Sequence, residues 1–397
     1  MTFRCISFGG HRLYVSVLAI AAAGLLLMGS LCRHEPEPEF EIENISNNPS
    51  ESHRPSIACS DDGRVALAWS DYATGYEEVW LVEKEKGGRW TEPVNLSKAG
   101  NANGSRSVTL CFGTDGTLHA AWSQAVQIGQ SGVWVWAIAY TRRPSGGEWA
   151  VPETIFHGTA TRPHIAVDTS GTVHLQFTDM AGGSHWTICY ANRNPTGNWS
   201  PVQEVSAPWS AGDGDLAAID DGTVVVAWDD WTSFPLRTLW SERIPSGEWS
   251  PPRVVYNSSN DCYVPILASN GSVVALAFGG SYYYITVMTK QTGAAWSEPD
   301  TSCETRNGGH RSIALSKQGH VFLGFANAAE PALRLARRDT GWTQVKVTDS
   351  LFPSKTTLVV DGEGHVHLAW SSQPDYPEPG DIYYVEVGIV AFDGNRN

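Results

Sequence analysis

The sequence predicts an all-β chain folded as a seven-bladed β-propeller closed by its own N-terminal strand, and three observations carry that prediction. A unit of about fifty residues recurs seven times. Each unit holds a Gly followed by an apolar run ending on an aromatic: Gly63 with Trp69, Gly116 with Trp122, Gly171 with Phe177 and Gly222 with Trp228. Gly271 with Phe278, Gly319 with Phe325 and Gly364 with Trp370 complete the set. Most units then close on a Trp that precedes a Pro, as in Trp90-Thr-Glu-Pro, Trp149-Ala-Val-Pro and Trp249-Ser-Pro. Self-similarity at this period, with several short strands per unit, marks a propeller.

In chain order, residues 1–32 read as a signal peptide or an N-terminal membrane anchor. Arg4 and Arg12 precede a run, Leu13 to Leu31, that is apolar apart from Ser, Gly and Tyr14. An acidic, Pro-rich linker follows at 33–39, and a basic flank before with an acidic flank after directs the propeller out of the cytoplasm. Gly29-Ser30-Leu31-Cys32 resembles a bacterial lipoprotein processing site, with Gly29 and Leu31 departing from it, so Cys32 is a candidate lipid attachment point. The expected location is the cell envelope or beyond, with membrane contact only through this segment.

Residues 40–390 form the propeller and 391–397 a tail. In the first unit, Pro55–Ser60, Arg64–Ser70, Glu78–Glu83 and Trp90–Ser97 alternate apolar and polar residues between Gly-containing turns, as antiparallel strands do. The seventh unit ends at Ile382–Val387 without its Trp strand. Phe40-Glu-Ile-Glu-Asn-Ile-Ser46 has the shape of Trp90–Ser97 and is expected to supply it, removing an exposed sheet edge.

Composition narrows the function. A net charge of −15 argues against nucleic acid, whose phosphates require a basic face. The chain carries no P-loop, dinucleotide fingerprint or zinc-type Cys/His spacing, so neither cofactor nor metal is expected. Cys59 and Cys111 stand at equivalent places in adjacent units and read as small buried hydrophobes, a disulfide being the alternative. Cys262 and Cys303 read as loop residues of neighbouring blades that would bridge in an oxidising compartment. A monomer is expected.

Counting nine residues back from each repeat Gly reaches the start of the innermost strand, at the mouth of the central channel. Arg54, Arg162 and Lys355 stand there, Arg106 is one place earlier, and His310 is followed by Arg311. Asp213, and Cys262 beside Asp261, close the ring with acid. Converging guanidiniums suit a carboxylate or sulfate. Asp71, Asp179 and Asp230 each follow a repeat aromatic by two residues, which predicts Arg54–Asp71 and Arg162–Asp179 pairs within a blade. Trp231 is a candidate stacking platform for a sugar ring. Tyr282, Tyr283 and Tyr284 read as strand residues; His119, His174 and His367 read as structural groups at the far face.

Arg54-Pro-Ser-Ile, then Gly63-Arg-Val-Ala-Leu-Ala-Trp69, then Gly88-Arg-Trp90-Thr-Glu-Pro resembles the opening of a sialidase-like propeller of the Asp-box (BNR) type. The resemblance implies that Arg54 is one of three arginines holding a carboxylate, completed from Arg106, Arg162 or Arg311, with Asp71 in the acid/base position. The turns keep Gly and Trp but lack the Asp of an Asp-box, the repeat count is seven rather than six, and no Tyr–Glu nucleophile pair is evident. The sequence therefore favours non-catalytic binding of an anionic glycan or a surface protein over a sialidase-type glycosidase. A uronate lyase using His310 or His164 beside an arginine is the third class.

Overall fold

The computed structural model describes residues 39–98, 104–128, 132–180, 186–208, 210–256, 262–281, 284–304, 311–327, 332–349, 353–372 and 379–392. The targeting segment, Cys32, His310, Asp261, Tyr282 and Tyr283 lie outside them. Among the described residues no helix is long and apolar enough to cross a membrane.

Seven four-stranded antiparallel sheets make up the fold. Their inner strands are Ser52–Cys59, Ser105–Phe112, Ala160–Val167, Ala211–Ala218, Tyr263–Ser269, Arg311–Leu315 and Pro353–Val360. The last packs against the first, closing the ring. Each inner strand turns back through a repeat Gly in the left-handed region (φ from 75° at Gly116 to 93° at Gly364), a conformation that Gly adopts without steric cost. The apolar run that follows is buried on both faces, because each sheet is sandwiched between two neighbours. The aromatic ending it (Trp69, Trp122, Phe177, Trp228, Phe278, Phe325, Trp370) is almost fully enclosed in every blade. Each such side chain removes roughly 150–250 Å² from water.

The Trp-x-x-Pro signature governs the outer strand. Thr91 N donates to Glu83 O at 2.8 Å, but Pro93 has no N–H, and the ladder resumes only at Val94–Asn95. The strand expected over Trp90–Ser97 is therefore two residues long. In blade seven this place is taken by Glu43–Asn44, opposite Tyr384 and Tyr383. Ser46 Oγ accepts from Ile382 N at 3.0 Å, as Ser97 does from Val79 N and Ser206 from Ile188 N. The N-terminal segment thus makes the same contacts as the outer strands of blades one and three.

One boundary and one cysteine placement differ from the sequence reading. The chain stays packed past 390: a short 3-10 helix, Ile389–Phe392, buries Phe392 edge-on against Phe322 at 5.8 Å. Cys262 and Cys303 belong to one sheet, before its inner strand and on its outer strand Asp300–Glu304, not to neighbouring blades. Cys59 and Cys111 are unbridged, and burial pushes their thiols up to about 12 and about 11, as expected of small hydrophobes.

Candidate ligand-binding site at the channel mouth

The inner strands begin irregularly. Pairing with the second strand skips between His53 and Ser56, Arg106 and Thr109, Thr161 and His164, Ala211 and Gly214, and Tyr263 and Ile266. Arg54, Ser107, Arg162 and Val264 occupy the gap with φ between 50° and 57°. Left-handed backbone costs an L-residue roughly 1–2 kcal/mol. Ser and Val share it here, so the ring imposes this bulge whatever the side chain. The bulge re-aims the residue that occupies it.

Four cations meet at this end. Arg54 Nη1 lies 3.5 Å from Glu77 Oε1, which also engages His53 Nε2 at 2.8 Å. The Arg106 guanidinium sits over the Trp136 ring at 3.9 Å, and that of Arg162 over Trp186 at 4.7 Å while pairing with Asp213. The Lys355 side chain makes no hydrogen bond or ion pair with any described residue. Its side chain is open to the lumen yet ringed by protein, and that enclosure, then the charges of Arg54 and Arg162, lowers its pKa to about 8. Burial also lowers Arg106 and Arg162, each repelled by Arg54. Arg54 acts on each of the other three across the lumen, against the opposing carboxylates of Glu77, Asp213, Asp215 and Asp229.

Several expected roles change. Asp71 does not pair with Arg54. It is buried and accepts from Ser50 Oγ (2.5 Å), Ser52 Oγ (2.6 Å), Asn48 Nδ2 (2.9 Å), Trp69 Nε1 (2.9 Å) and Ala73 N (2.7 Å). Burial pushes its carboxyl up, but those donors outweigh it and hold it below the usual range, so it anchors strands instead of serving as acid/base. Its place two residues after Trp69 is explained by the indole N–H, which Gln124 accepts in the same way from Trp122 at 3.2 Å. Asp179 accepts from Thr159 Oγ1 at 2.7 Å, while Arg162 turns to Asp213. Asp230 closes its own turn, accepting from Thr232 N and Oγ1 and Ser233 Oγ.

Arg311 does not line the lumen. It is buried, and its Nη2 donates to the carbonyls of Tyr263 and Val264, each at 2.6 Å. Asp229 Oδ1 accepts from Val264 N at 2.7 Å, so blades four and six grip the bulge of blade five between them. Burial raises Asp229 to about 7 against the pull of Val264 N, Arg311 and Arg162. Counting back from Gly271 misplaced that bulge. The turn of blade five is two residues shorter before its Gly, so the position equivalent to Arg54 is Val264, and Cys262 is a core residue at 2 % exposure.

Trp231 stays at the mouth, half exposed. Its indole lies so close to Gly212 that a Cβ there would meet Nε1 at 1.9 Å, which places the ring against the backbone beside Asp213. Glu77, Trp136 and Trp186 went unnoticed in the sequence because they lie outside the repeat signature. Among the described residues one group has metal-ligand spacing, Asp361, Glu363 and His365 at the far end, whose ligand atoms lie within 4.8 Å of one another. Glu363 is paired with Lys86, and Asp361 accepts from the backbone N–H groups of Glu363 and His365.

No protein-family profile and no curated protein matches the chain by sequence. Among solved structures it is similar to an α-L-arabinofuranosidase of Fusarium graminearum (12 % identity, TM-score 0.55, covering 90 % of this chain and 99 % of that one). It is similar to the intramolecular trans-sialidase of Ruminococcus gnavus (11 %, 0.50, 88 % and 98 %). The sialidase of Trypanosoma rangeli matches at 10 % identity and TM-score 0.53, over 90 % of this chain and 58 % of its own. The fold is that of a sialidase-like propeller, and likeness at this identity speaks to fold alone.

Proposed function

We propose that the protein binds a carboxylate-bearing glycan at the channel mouth without transforming it, as an exported monomer tethered by its N-terminal segment. One observation carries the reading: Arg54, Arg106, Arg162 and Lys355 crowd one lumen, and the Lys355 ammonium makes no ion pair with a described residue, Asp215 acting on it only at a distance. Like charges held together this way favour an anionic ligand, and guanidinium forks suit a planar carboxylate. The solved structures of similar fold include sialidases and an arabinofuranosidase, in keeping with a sugar ligand. Among the described carboxyls with a resolved shift, only Asp229 is raised toward neutrality, as a general acid requires. It is 2 % exposed and engaged by Val264 N, and that burial weighs against a role as general acid.

The test titrates the full-length protein with sialyllactose and with galacturonate, following heat of binding and product together. Binding that weakens with salt, falls at least about tenfold in Arg162→Ala and yields no product supports the reading. Release of free sialic acid would replace it with a glycosidase, and an unsaturated uronate with a lyase. Binding unchanged in Arg54→Ala, Arg106→Ala and Arg162→Ala would overturn the mouth as the site.

A further inference from the structure

The exposed aromatic side chains are distributed in one direction. Among the described residues they are Tyr72, Tyr76, Trp134, Trp231, Phe234, Tyr256 and Tyr284, and all seven sit at the mouth end, on or beside the loops that open there. The tryptophans of the repeat signature are all at least partly covered. Apolar rings left in water at one end only, around a cationic centre, mark that end as an interaction surface.

The most ordered part of this surface spans blades two to four. The second and third strands of blade two, Leu118–Ile128 and Val133–Arg143, run eleven residues each, against seven for those of blades one, three and four. The extra length rises beyond the mouth. Trp136, stacked on Arg106, and Trp134 are two apart on one strand and share a face, so the cation-bearing face continues outward as a second ring, 42 % exposed. Blade three repeats the arrangement with Arg162 over Trp186. Blade four adds Trp231 on Gly212, 48 % exposed. Three neighbouring blades thus each present an indole, and in blades two and three an arginine lies over the ring nearest the lumen.

We infer that the ligand is an acidic polysaccharide chain that crosses blades two to four, not one terminal acidic sugar; this rests on the mouth being a carboxylate site. A single sugar needs one platform. Exposed rings at Trp134 and Trp231, flanking arginines that lie over Trp136 and Trp186, match a polymer whose sugar rings each offer an apolar face and whose carboxylates recur. Single-stranded nucleic acid also uses stacking platforms in a cationic groove. The chain's net charge of −15 disfavours it, since a strand of phosphates requires a broadly basic face.

The experiment measures affinity of the full-length protein for galacturonate monomer, dimer, tetramer and hexamer, with single-stranded DNA as competitor. Affinity is expected to climb with length. Loss of one stacking platform in Trp134→Ala or Trp231→Ala should weaken the hexamer about three- to tenfold. Trp134→Ala should leave the monomer unchanged, and Arg162→Ala should weaken every length. Equal affinity at all lengths, or tryptophan variants silent on the hexamer while Arg162→Ala still weakens the monomer, would sink the polymer and leave the carboxylate site. Failure of every length to bind would sink both. Displacement of the hexamer by DNA, itself sensitive to Trp134→Ala, would identify a nucleic-acid surface instead.

Discussion

Away from the mouth, cations at the ends of third strands reach an acid on the preceding blade. Arg143 pairs with Glu83, Arg193 with Glu153, Lys290 with Glu242, Arg338 with Asp300, and Lys84 with Glu386. At the mouth, Lys355 has no such partner and Arg106 rests on an indole. The far end also repeats a stacked unit. His119, His174 and His367 each place Nδ1 2.7 Å from a Tyr hydroxyl, and each Tyr takes a Trp edge-on from the next blade at 5.0 or 5.1 Å. Seven copies of one unit thus hold one end together by contacts between blades and leave at the other the cations to which a ligand is proposed to bind. Substitutions should separate the two.

The largest effect is expected at the far end. Tyr190 is fully buried, bonded to His174 and edge-on to Trp249 at 5.1 Å. Tyr190→Ala should destabilise by about 3–5 kcal/mol in denaturant unfolding, with the affinity of the remaining folded protein intact. A lost ligand with unchanged stability would erase the distinction between the ends.

The far end was the more legible of the two in sequence. Gly63, Trp69 and Trp90 recur because strand turns and blade packing impose them, and His119, His174 and His367 read as structural from their repeat position alone. The mouth was legible only where the count from the Gly held. Arg54 and Arg162 came out in the bulge, whereas Lys355 pairs in register with Ser371 and the shorter turn of blade five displaced the count onto Cys262. Partners were not legible at all. Arg54 meets Glu77 and Arg162 meets Asp213 across blades and loops, distances that spacing within one repeat does not encode. Asp71 looked catalytic because an indole acceptor and an acid/base carboxylate occupy the same place in the pattern.

Acid should act on the far end first. Burial lowers His119 to about 4 in the folded chain, while the unfolded side chain titrates near its ordinary 6.5. Above 6.5 both forms are neutral and the histidine contributes no slope. As pH falls from 6.5 to 4 only the unfolded chain takes the proton, so stability drops by about 3 kcal/mol from this residue. Thermal melts of the protein and of His119→Gln across that window check this. The variant should start less stable and lose part of the acid slope, and a variant as steep as the parent would refute the assignment.

The smallest effect, and the one with reversed sign, belongs to Lys355. Its folded pKa of about 8 lies below the ordinary 10.5, because enclosure and then Arg54 and Arg162 disfavour the charge. Below pH 8 the folded protein carries that unfavourable charge. Between 8 and 10.5 it has shed the proton while the unfolded chain keeps it, so stability recovers as pH rises through that window. Lys355→Met keeps the length of the side chain and removes the charge. Near pH 7 it should stabilise the fold by about 0.5–1 kcal/mol, a modest figure because the lumen still admits water, while weakening the anionic ligand. A cation whose removal stabilises the protein is kept for something other than folding. Destabilisation by Lys355→Met would place Lys355 with the paired cations of the far end, and the mouth would lose its strongest claim to a ligand.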